Sequence, residues 1–380
     1  MKFTSDKNRI ILIPDSFKGT ISATEICEIM TNSVRKFLPD VEITAIPVAD
    51  GGEGTVDALI LAIGGEIVNV DVKGPLMQDM KSFYGILPNG SAVIEVAAVV
   101  GLPQMEKLAV MDATTYGVGQ LISDALANGH TNIIVGLGGS ATNDGGAGAC
   151  SALGIKFFDK DDNEFVPVGR TLIDIERIDA SGKNPDLNNA TIKLMCDINN
   201  PLCGENGAAA VFGPQKGATE SDVIALDAGL RNFAKIVKRD IGADILDVPG
   251  AGAAGGIGGG FYGLLNGKLE MGIDVILDIV KFDELLADTS IIFTGEGKID
   301  SQSLSGKVVI GIAKRAKKQN VPLIAVVGDI GDNMDEAYDY GVTAIMSTNR
   351  VAVPFKKAKL RAKSDLALTM NEIMRLLTLE

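Results

Sequence analysis

The chain has 380 residues, of which 46% are hydrophobic, with a net charge of −14 and a single histidine. This length suggests two domains, the apolar fraction excludes a wholly disordered chain, and the acidic balance excludes a broadly basic nucleic-acid-binding surface. No apolar run is long enough to cross a membrane, no leader-like stretch opens the sequence, and the four cysteines lack C-x-x-C spacing, so we expect a cytoplasmic protein with reduced thiols.

The first 72 residues alternate between strand and helix patterns. The apolar run Arg9–Pro14 predicts a buried strand. Ser22, with Glu25 three residues later, matches a capping box that opens a helix reaching about Phe37. A strand at 41–46, a helix at 54–63 and a strand at 66–72 follow. Such alternation is typical of parallel βαβ units.

The residues from about 288 onward repeat this pattern, with strands predicted at 290–294, 322–327 and 343–347 and helices at 307–318 and 364–377. Neither end of the chain has enough strands for a doubly wound sheet. We therefore predict an α/β fold in which residues 1–72 and 288–380 form one discontinuous, flavodoxin-like or Rossmann-like parallel-sheet domain. Residues 73–287 would form a large, glycine-rich inserted α/β domain, and a cleft between the two domains would be a natural binding place.

The segment that follows the first strand reads PDSFKGT and covers residues 14–20. In open α/β sheets, ligands bind outside the carboxyl ends of the strands, and the start of the next helix favours an anion. Lys18 adds a full positive charge, and Asp15 could bond a hydroxyl group or a metal ion. The alternative is that Asp15 and Ser16 only cap the turn.

Two further turns share an Asp-Gly-Gly-x-Gly pattern, at residues 50–54 and 144–148. Such turns suit close backbone approach to a phosphate or a polyol, although each could be a simple turn with an N-cap Asp. Gly136, Gly138 and Ala141 also fit a dinucleotide fingerprint. The match is weak, because the helix it requires would run through a poor helix sequence at 143–146.

Other glycine-rich segments carry less information. A P-loop is absent, because Gly306 and Lys307 are followed by Val308 instead of Ser or Thr. No strand leads into the glycine run at 250–260, which predicts a flexible loop or a close-packed helix start. The single histidine, His130, is expected at a helix end, which argues against Ser-His-Asp hydrolysis.

The most numerous candidate functional groups in the sequence are carboxylates flanked by small residues. They are Asp15, Asp50, Glu53, Asp144, Asp197, Glu296 and Asp300. Carboxylates and lysines around glycine turns suit phosphoryl transfer, in which Asp binds Mg²⁺ or accepts the proton of the attacking hydroxyl. Residues 294–302 should open onto the same sheet edge as Asp15, whereas Asp197 follows an apolar run of the insert.

Seven segments, taken in order, resemble the bacterial glycerate kinase family across about residues 10–341. They are PDSFKGTISATE, PVADGGEGTVDA, VIEVAAVVGL, GLGGSATNDGGAGACSALG, CDINNPLCGENGAAAVFGPQKGAT, GAGAAGGIGGG and TGEGKIDSQSLSGK. The resemblance implies the type that transfers the γ-phosphate of ATP to D-glycerate with Mg²⁺ and gives 2-phosphoglycerate. It also implies two α/β domains, one of them discontinuous and flavodoxin-like. Lys298 stands where arginine is frequent, a change that matters if that side chain forks onto a carboxylate or phosphate.

A working hypothesis accompanies this resemblance. Glycerate would be bound by Asp15, Ser16, Lys18, Asp50, Gly51, Gly52 and Glu53. ATP would be bound by Gly138, Gly139, Ser140, Asp144, Gly145, Gly146, Lys216, Gly295 and Glu296. The candidate catalytic residues are Lys18, Asp197 and Asp300. Either aspartate would bind Mg²⁺ or take the hydroxyl proton, and the sequence does not decide which.

Two alternatives stay open at this point. One is an NAD-dependent dehydrogenase of a small hydroxy acid, based on the fingerprint at residues 136–141. The other is a non-catalytic two-domain protein that binds a small molecule. We expect a small-molecule substrate and neither a nucleic-acid nor a membrane partner, and we hold a homodimer open beside a monomer.

Overall fold

A computed structural model describes residues 8–49, 51–301 and 303–379 of the chain. Its strands are β1 (Arg9–Pro14), β2 (Glu42–Ala45), β3 (Glu66–Lys73), β4 (Asp79–Ile86), β5 (Ala92–Glu95), β6 (Asn132–Gly136), β7 (Lys156–Phe158), β8 (Glu164–Phe165), β9 (Arg177–Asp179), β10 (Thr191–Met195), β11 (Lys268–Glu270), β12 (Thr289–Gly295), β13 (Lys298–Ile299), β14 (Leu323–Val327), β15 (Asp329–Ile330) and β16 (Ala344–Ser347). Its α-helices are α1 (Ala23–Phe37), α2 (Thr55–Ile63), α3 (Val96–Val100), α4 (Tyr116–Ala127), α5 (Ala147–Ala152), α6 (Ala208–Phe212), α7 (Glu220–Asp240), α8 (Ala253–Leu265), α9 (Gly272–Ile279), α10 (Phe282–Leu285), α11 (Val308–Lys318), α12 (Asp335–Asp339) and α13 (Phe355–Leu377).

The described residues divide into two compact units. Unit 1 takes those up to Ala49, together with Leu61–Ile63 and everything from Ile273 onward. Unit 2 takes the remainder, which ends at Gly272. Among the described residues, no helix combines the length and the apolar character that crossing a membrane requires.

The main sheet of unit 1 has five strands in the order β16-β14-β12-β1-β2, and every pairing in it is parallel. The predicted strands match all five to within one residue at each end. In this α/β arrangement the carboxyl ends of β1 and β12 lie side by side, because Pro14 pairs with Gly295. The loops that follow these two strands therefore leave the sheet at the same edge.

Two long helices cover one face of this sheet. Helix α1 opens with the predicted capping box, in which the Ser22 hydroxyl accepts a hydrogen bond from the Glu25 N–H and the Glu25 carboxylate accepts one from Ser22. Its buried Ile26 and Met30 share a core with Leu366 and Met370 of α13. Full burial of each such side chain contributes about 1.5–3 kcal/mol. Helix α13 starts nine residues before the predicted position 364.

The main sheet of unit 2 has six strands in the order β11-β10-β6-β5-β4-β3. The pairings of β4 with β3 and β5 are antiparallel, and the others are parallel. Strand β3 was predicted to belong to the discontinuous domain, but it pairs along its whole length with β4 in this sheet. Likewise 273–287, which we assigned to the insert, falls in unit 1. The boundaries observed thus differ from 72 and 288.

The glycine run at 250–260 forms a close-packed helix start, one of the two forms predicted for it. Helix α8 carries left-handed backbone at Ala254, Gly255 and Gly256. A β-carbon on Gly255 would stand 2.0 Å from the Thr142 carbonyl oxygen, and one on Gly260 would stand 1.9 Å from that of Gly145. Only glycine allows this helix to touch the backbone of the 142–145 turn.

Candidate active site

The loop after β1 is fixed to unit 1 by its backbone and by one aromatic side chain. The Asp15 N–H donates to the Gly295 carbonyl at 2.8 Å, and the Ser16 N–H donates to Asp15 Oδ1 at 2.6 Å. Phe17 is buried in the core beneath, whereas Lys18 is exposed. The loop thus holds a carboxylate, a hydroxyl group and an ammonium group at the edge of the sheet.

The loop after β12 brings two more carboxylates to this edge. Gly295 lies so close to β14 that a β-carbon would stand 2.0 Å from the Val326 carbonyl oxygen. The next residue, Glu296, is 8% exposed. Asp300 ends the loop, and its N–H donates to the Ser303 hydroxyl at 3.2 Å. Lys307 then precedes the first turn of α11, where the helix dipole also favours an anion.

Glu296 has unusual electrostatics. Its Oε1 is buried and has no hydrogen-bond partner among the described residues. Burial raises the pKa of Glu296 to about 7, and the Asp15 and Asp300 carboxylates add to the rise, while a Ser303 hydrogen bond and Lys307 oppose it. A carboxyl group that titrates near neutral pH can both donate and accept a proton.

These loops line a cavity of about 610 Å³ in unit 1. Five of the predicted site residues line it: Asp15, Ser16, Lys18, Glu296 and Asp300. The cavity also takes in residues that the motifs did not single out as site residues, among them Ser303, Lys307, Phe355, Lys359 and Asp365. Pockets of this size bind small molecules and cofactors in many proteins.

The remaining predicted site residues belong to unit 2, apart from Gly295, which ends β12, and Asp50, which lies outside the described residues. Gly51 and Gly52 are buried in a turn, whereas Glu53 is exposed. This turn begins α2 and is held by a residue that lies in one of the seven family-like segments but is not among the predicted site residues. Glu95, at the end of β5, is 2% exposed and accepts hydrogen bonds from the Val56 N–H at 2.6 Å and the Gly54 N–H at 3.3 Å.

The glycines of the dinucleotide fingerprint serve the packing of this same turn. A β-carbon on Gly136 would stand 2.3 Å from the Gly51 carbonyl oxygen, and one on Gly138 would stand 2.6 Å from the Gly52 Cα. The Gly138 N–H also donates to the Gly51 carbonyl at 3.0 Å. These two glycines therefore serve the packing of backbone against backbone, and the fingerprint no longer supports the dehydrogenase alternative.

Asp144 organises the second Asp-Gly-Gly turn from a fully buried position. Its carboxylate accepts hydrogen bonds from the Thr115 N–H and hydroxyl at 2.7 and 2.8 Å, and from the N–H groups of Gly146 and Gly148 at 3.1 and 3.3 Å. Burial raises the pKa of Asp144 even though all four bonds oppose the rise. This network ties the starts of α4 and α5 together, and contact with ATP stays a prediction.

Lys216 is equally buried, with 2% of its surface exposed. Its ammonium group donates to the Ser140 hydroxyl at 2.9 Å and to the Thr142 carbonyl at 2.7 Å. Burial lowers the pKa of Lys216 to about 7, against the pull of Asp144. Beside it, both amide atoms of the buried Asn143 have no partner among the described residues. Unit 2 thus holds a polar cluster that a phosphate could join, while Gly139 is exposed at its edge.

Asp197 follows β10 in unit 2 and is half-buried. Its Oδ1 accepts a hydrogen bond from the Gly272 N–H at 2.7 Å. A β-carbon on Gly272 would stand only 3.2 and 3.3 Å from the two carboxylate oxygens. Because glycine has no side chain, the Gly272 N–H can approach the carboxylate closely enough to donate this bond. The catalytic and metal-binding roles of Asp197 stay predictions.

Comparison with known proteins is consistent across sequence and structure. A model described as the glycerate kinase family matches residues 10–378. A glycerate 2-kinase of Escherichia coli is 43% identical over 342 residues, which is 89% of this chain and 90% of that protein. A glycerate kinase of Bacillus subtilis is 41% identical over 368 residues, or 96% of each. A crystal structure described as glycerate kinase 2 from Salmonella typhimurium covers 98% of both chains, with a TM-score of 0.85 and 39% identity.

Proposed function

The chain belongs to the glycerate kinase family, and we propose that it transfers the γ-phosphate of ATP to D-glycerate and releases 2-phosphoglycerate. The observation that carries this proposal is the unit 1 pocket, where carboxylates and lysines from neighbouring strand ends line one cavity. Phosphoryl transfer asks the protein for positioned charges of both signs. The choice of the 2-hydroxyl rests on the Escherichia coli relative, whose name specifies it.

Glycerate would bind against the loop after β1. The exposed ammonium group of Lys18 can pair with the substrate carboxylate, and Asp15 and Ser16 can bond its hydroxyl groups. Asp50, Gly51, Gly52 and Glu53 remain predicted glycerate-binding residues, and Asp50 lies outside the described residues. Glycerate has one carboxylate and two hydroxyl groups and no other polar group. The proposed contacts would therefore give each of its polar groups a partner.

The residues proposed to bind the phosphates of ATP are Gly138, Gly139, Ser140, Asp144, Gly145, Gly146, Lys216, Gly295 and Glu296. The burial of Lys216 supports a role in binding phosphate. Burial disfavours the charged ammonium form, and a bound anion would favour that form again. Glu296, partly protonated at neutral pH, can donate a hydrogen bond to a phosphate oxygen.

In the proposed step, a carboxylate takes the proton of the glycerate 2-hydroxyl group. The oxygen of that hydroxyl group bonds to the γ-phosphorus at the same time. The bond from that phosphorus to the oxygen of the departing ADP breaks at the same centre. Either Asp300 or Asp197 is the proposed acceptor of the proton, a role typically worth about 10²–10⁴-fold. Lys18 would offset the charge that builds up on the transferred group.

Mg²⁺ is the proposed cofactor, and the donor set of the pocket fits it. Asp15 and Asp300 supply hard carboxylate oxygens, and Mg²⁺ is commonly held by one or two carboxylates plus substrate phosphates. No cluster of three or more metal-ligating side chains occurs among the described residues. A Mg²⁺ site completed by substrate phosphates does not need such a cluster. Asp300 or Asp197 would hold the ion, which when bound neutralises phosphate charge.

We also propose a cytoplasmic location, supported by four buried cysteines that form no disulfide. The partners would be small molecules alone, and a homodimer is a proposal that analytical ultracentrifugation tests directly.

The test of this function is a coupled ADP-release assay with Mg-ATP and D-glycerate, followed by phosphorus NMR of the product. We expect saturable ADP release and 2-phosphoglycerate. A 3-phosphoglycerate product would contradict the proposed position but keep the kinase. Absence of transfer to glycerate from a protein that binds ATP would overturn the substrate.

A further inference from the structure

Helix α13 carries an apolar stripe that extends beyond the core it packs against. Toward its carboxyl end, Leu366 and Met370 are buried among core side chains. Earlier on the same face, at helical spacing, come Phe355, Ala358 and Ala362, and these three line the unit 1 pocket. The stripe therefore continues over a cavity, where Phe355 is left 69% exposed.

The residues that line the pocket fall into two chemically different groups. One is polar and contains Glu296 together with its electrostatic neighbours Asp15, Asp300 and Lys307. The other is an apolar wall formed by Val353, Phe355, Ala358 and Ala362. Because the side chains of the two alanines are small, a flat ring could lie against the helix beside the phenyl group.

Glycerate cannot account for the whole cavity. A three-carbon acid is small against about 610 Å³, and it has no apolar surface with which to cover the wall. A nucleotide has both kinds of surface, an aromatic base at one end and anionic phosphates at the other. Lys359 and Asp365 of the same helix also line the pocket, and Asp365 is paired with Arg361, so Lys359 adds a cation beside the wall.

We propose that the apolar wall of residues 353, 355, 358 and 362 binds the adenine ring of ATP, with the Phe355 ring stacked on the base. The proposal rests on the proposed kinase function, which makes ATP a substrate. Thr348 and Asn349 line the same pocket and carry the hydroxyl and amide groups that can bond the edge of a base. The phosphates then extend toward the polar group of lining residues.

The test measures ADP and inorganic tripolyphosphate binding by calorimetry, because only ADP carries a base. Phe355→Ala should weaken ADP binding about five- to a hundredfold, as expected for loss of a base–aromatic stack. It should leave tripolyphosphate binding and the KM for glycerate unchanged. Phe355→Trp, which keeps an aromatic face, should restore ADP binding, and Ala358→Leu, which fills the wall, should weaken it. Leu360→Ala is the matched control, since Leu360 is 87% exposed on the same helix and does not line the pocket.

The outcomes separate this inference from the kinase assignment. If wild-type protein transfers phosphate to glycerate but Phe355→Ala binds ADP as tightly as Leu360→Ala does, the adenine site is wrong and the kinase stands. Equal loss of ADP and tripolyphosphate would also overturn it, because Phe355 would then support the helix and not the base. A change in oligomeric state without a change in ADP binding would assign Phe355 to a contact between copies. If ADP binding depends on Phe355 and no transfer to glycerate occurs, the adenine site stands and the kinase reaction falls.

Discussion

Replacing Glu296 with glutamine tests the electrostatics of the pocket, because it removes a titrating group and keeps the shape of the side chain. Glu296 is 8% exposed, and burial raises its pKa from 4.5 to about 7. Since the folded pKa lies above the unfolded one, the folded chain binds the extra proton between those values. The wild-type protein therefore loses stability as the pH rises through this window. At about 1.4 kcal/mol per unit, the loss approaches about 3 kcal/mol above pH 7.

Glutamine cannot ionise, so the variant should match the wild type in acid and exceed it by about 3 kcal/mol near pH 8. The assay is urea unfolding between about pH 5 and pH 8 without nucleotide or metal, followed by a probe placed in unit 1. Glu284→Gln serves as the control, because Glu284 is an exposed carboxylate in the same unit. Parallel pH profiles for the wild type and Glu296→Gln would refute the reasoning.

Four other substitutions test the remaining roles. Asp300→Asn and Asp197→Asn should each lower turnover by about 10²–10⁴-fold with an unchanged melting temperature, and a near-native rate would remove that residue from the mechanism. Lys216 has a folded pKa of about 7, below its unfolded value of 10.5, so the free energy of unfolding should rise by about 1.4 kcal/mol per pH unit between them. Lys216→Met should abolish that rise in urea unfolding, and an unchanged slope would contradict the burial argument. Gly138→Ala should cost about 1–3 kcal/mol in thermal unfolding, because the new β-carbon meets the Gly52 backbone at 2.6 Å; wild-type stability would show that the two turns can separate.

Much of unit 1 could be predicted because its signals are local. The apolar run of β1 and the Ser22–Glu25 capping box specify their elements within a few residues. Strand β3 was also recognised as a strand, but its sheet was not. Its partner is decided by residues 79–86, which pair with it in antiparallel register, and a local pattern does not carry that choice.

The early start of α13 was missed for a related reason. Five Lys and Arg residues lie between positions 356 and 363 and conceal the apolar stripe between them. That stripe faces a pocket and not a core, so it has too few large apolar side chains to be recognised by periodicity.

The residues of the candidate site likewise separate into those that local patterns predict and those that they do not. Asp15, Glu296 and Asp300 could be expected at one edge, because parallel strands end there together. Phe355 and Lys359 could not, since nothing in the sequence links that helix to those loops. Nor do the glycine motifs reveal that Asp144 lies fully buried, because a turn that binds a ligand and a turn that packs a helix use the same residues.

The order of strands in unit 1 has a consequence for how the protein is made. Strand β1 lies between β2 and β12, and the Thr294 hydroxyl donates to the Ile13 carbonyl across 281 residues of chain. At about 5–20 residues per second, a ribosome takes roughly 15–60 s to supply the missing neighbour. Throughout that time β1 has an unpaired edge, while unit 2 can already fold. The nascent chain is thus exposed to aggregation at its first strand, and chaperones acting there should improve the yield of native protein.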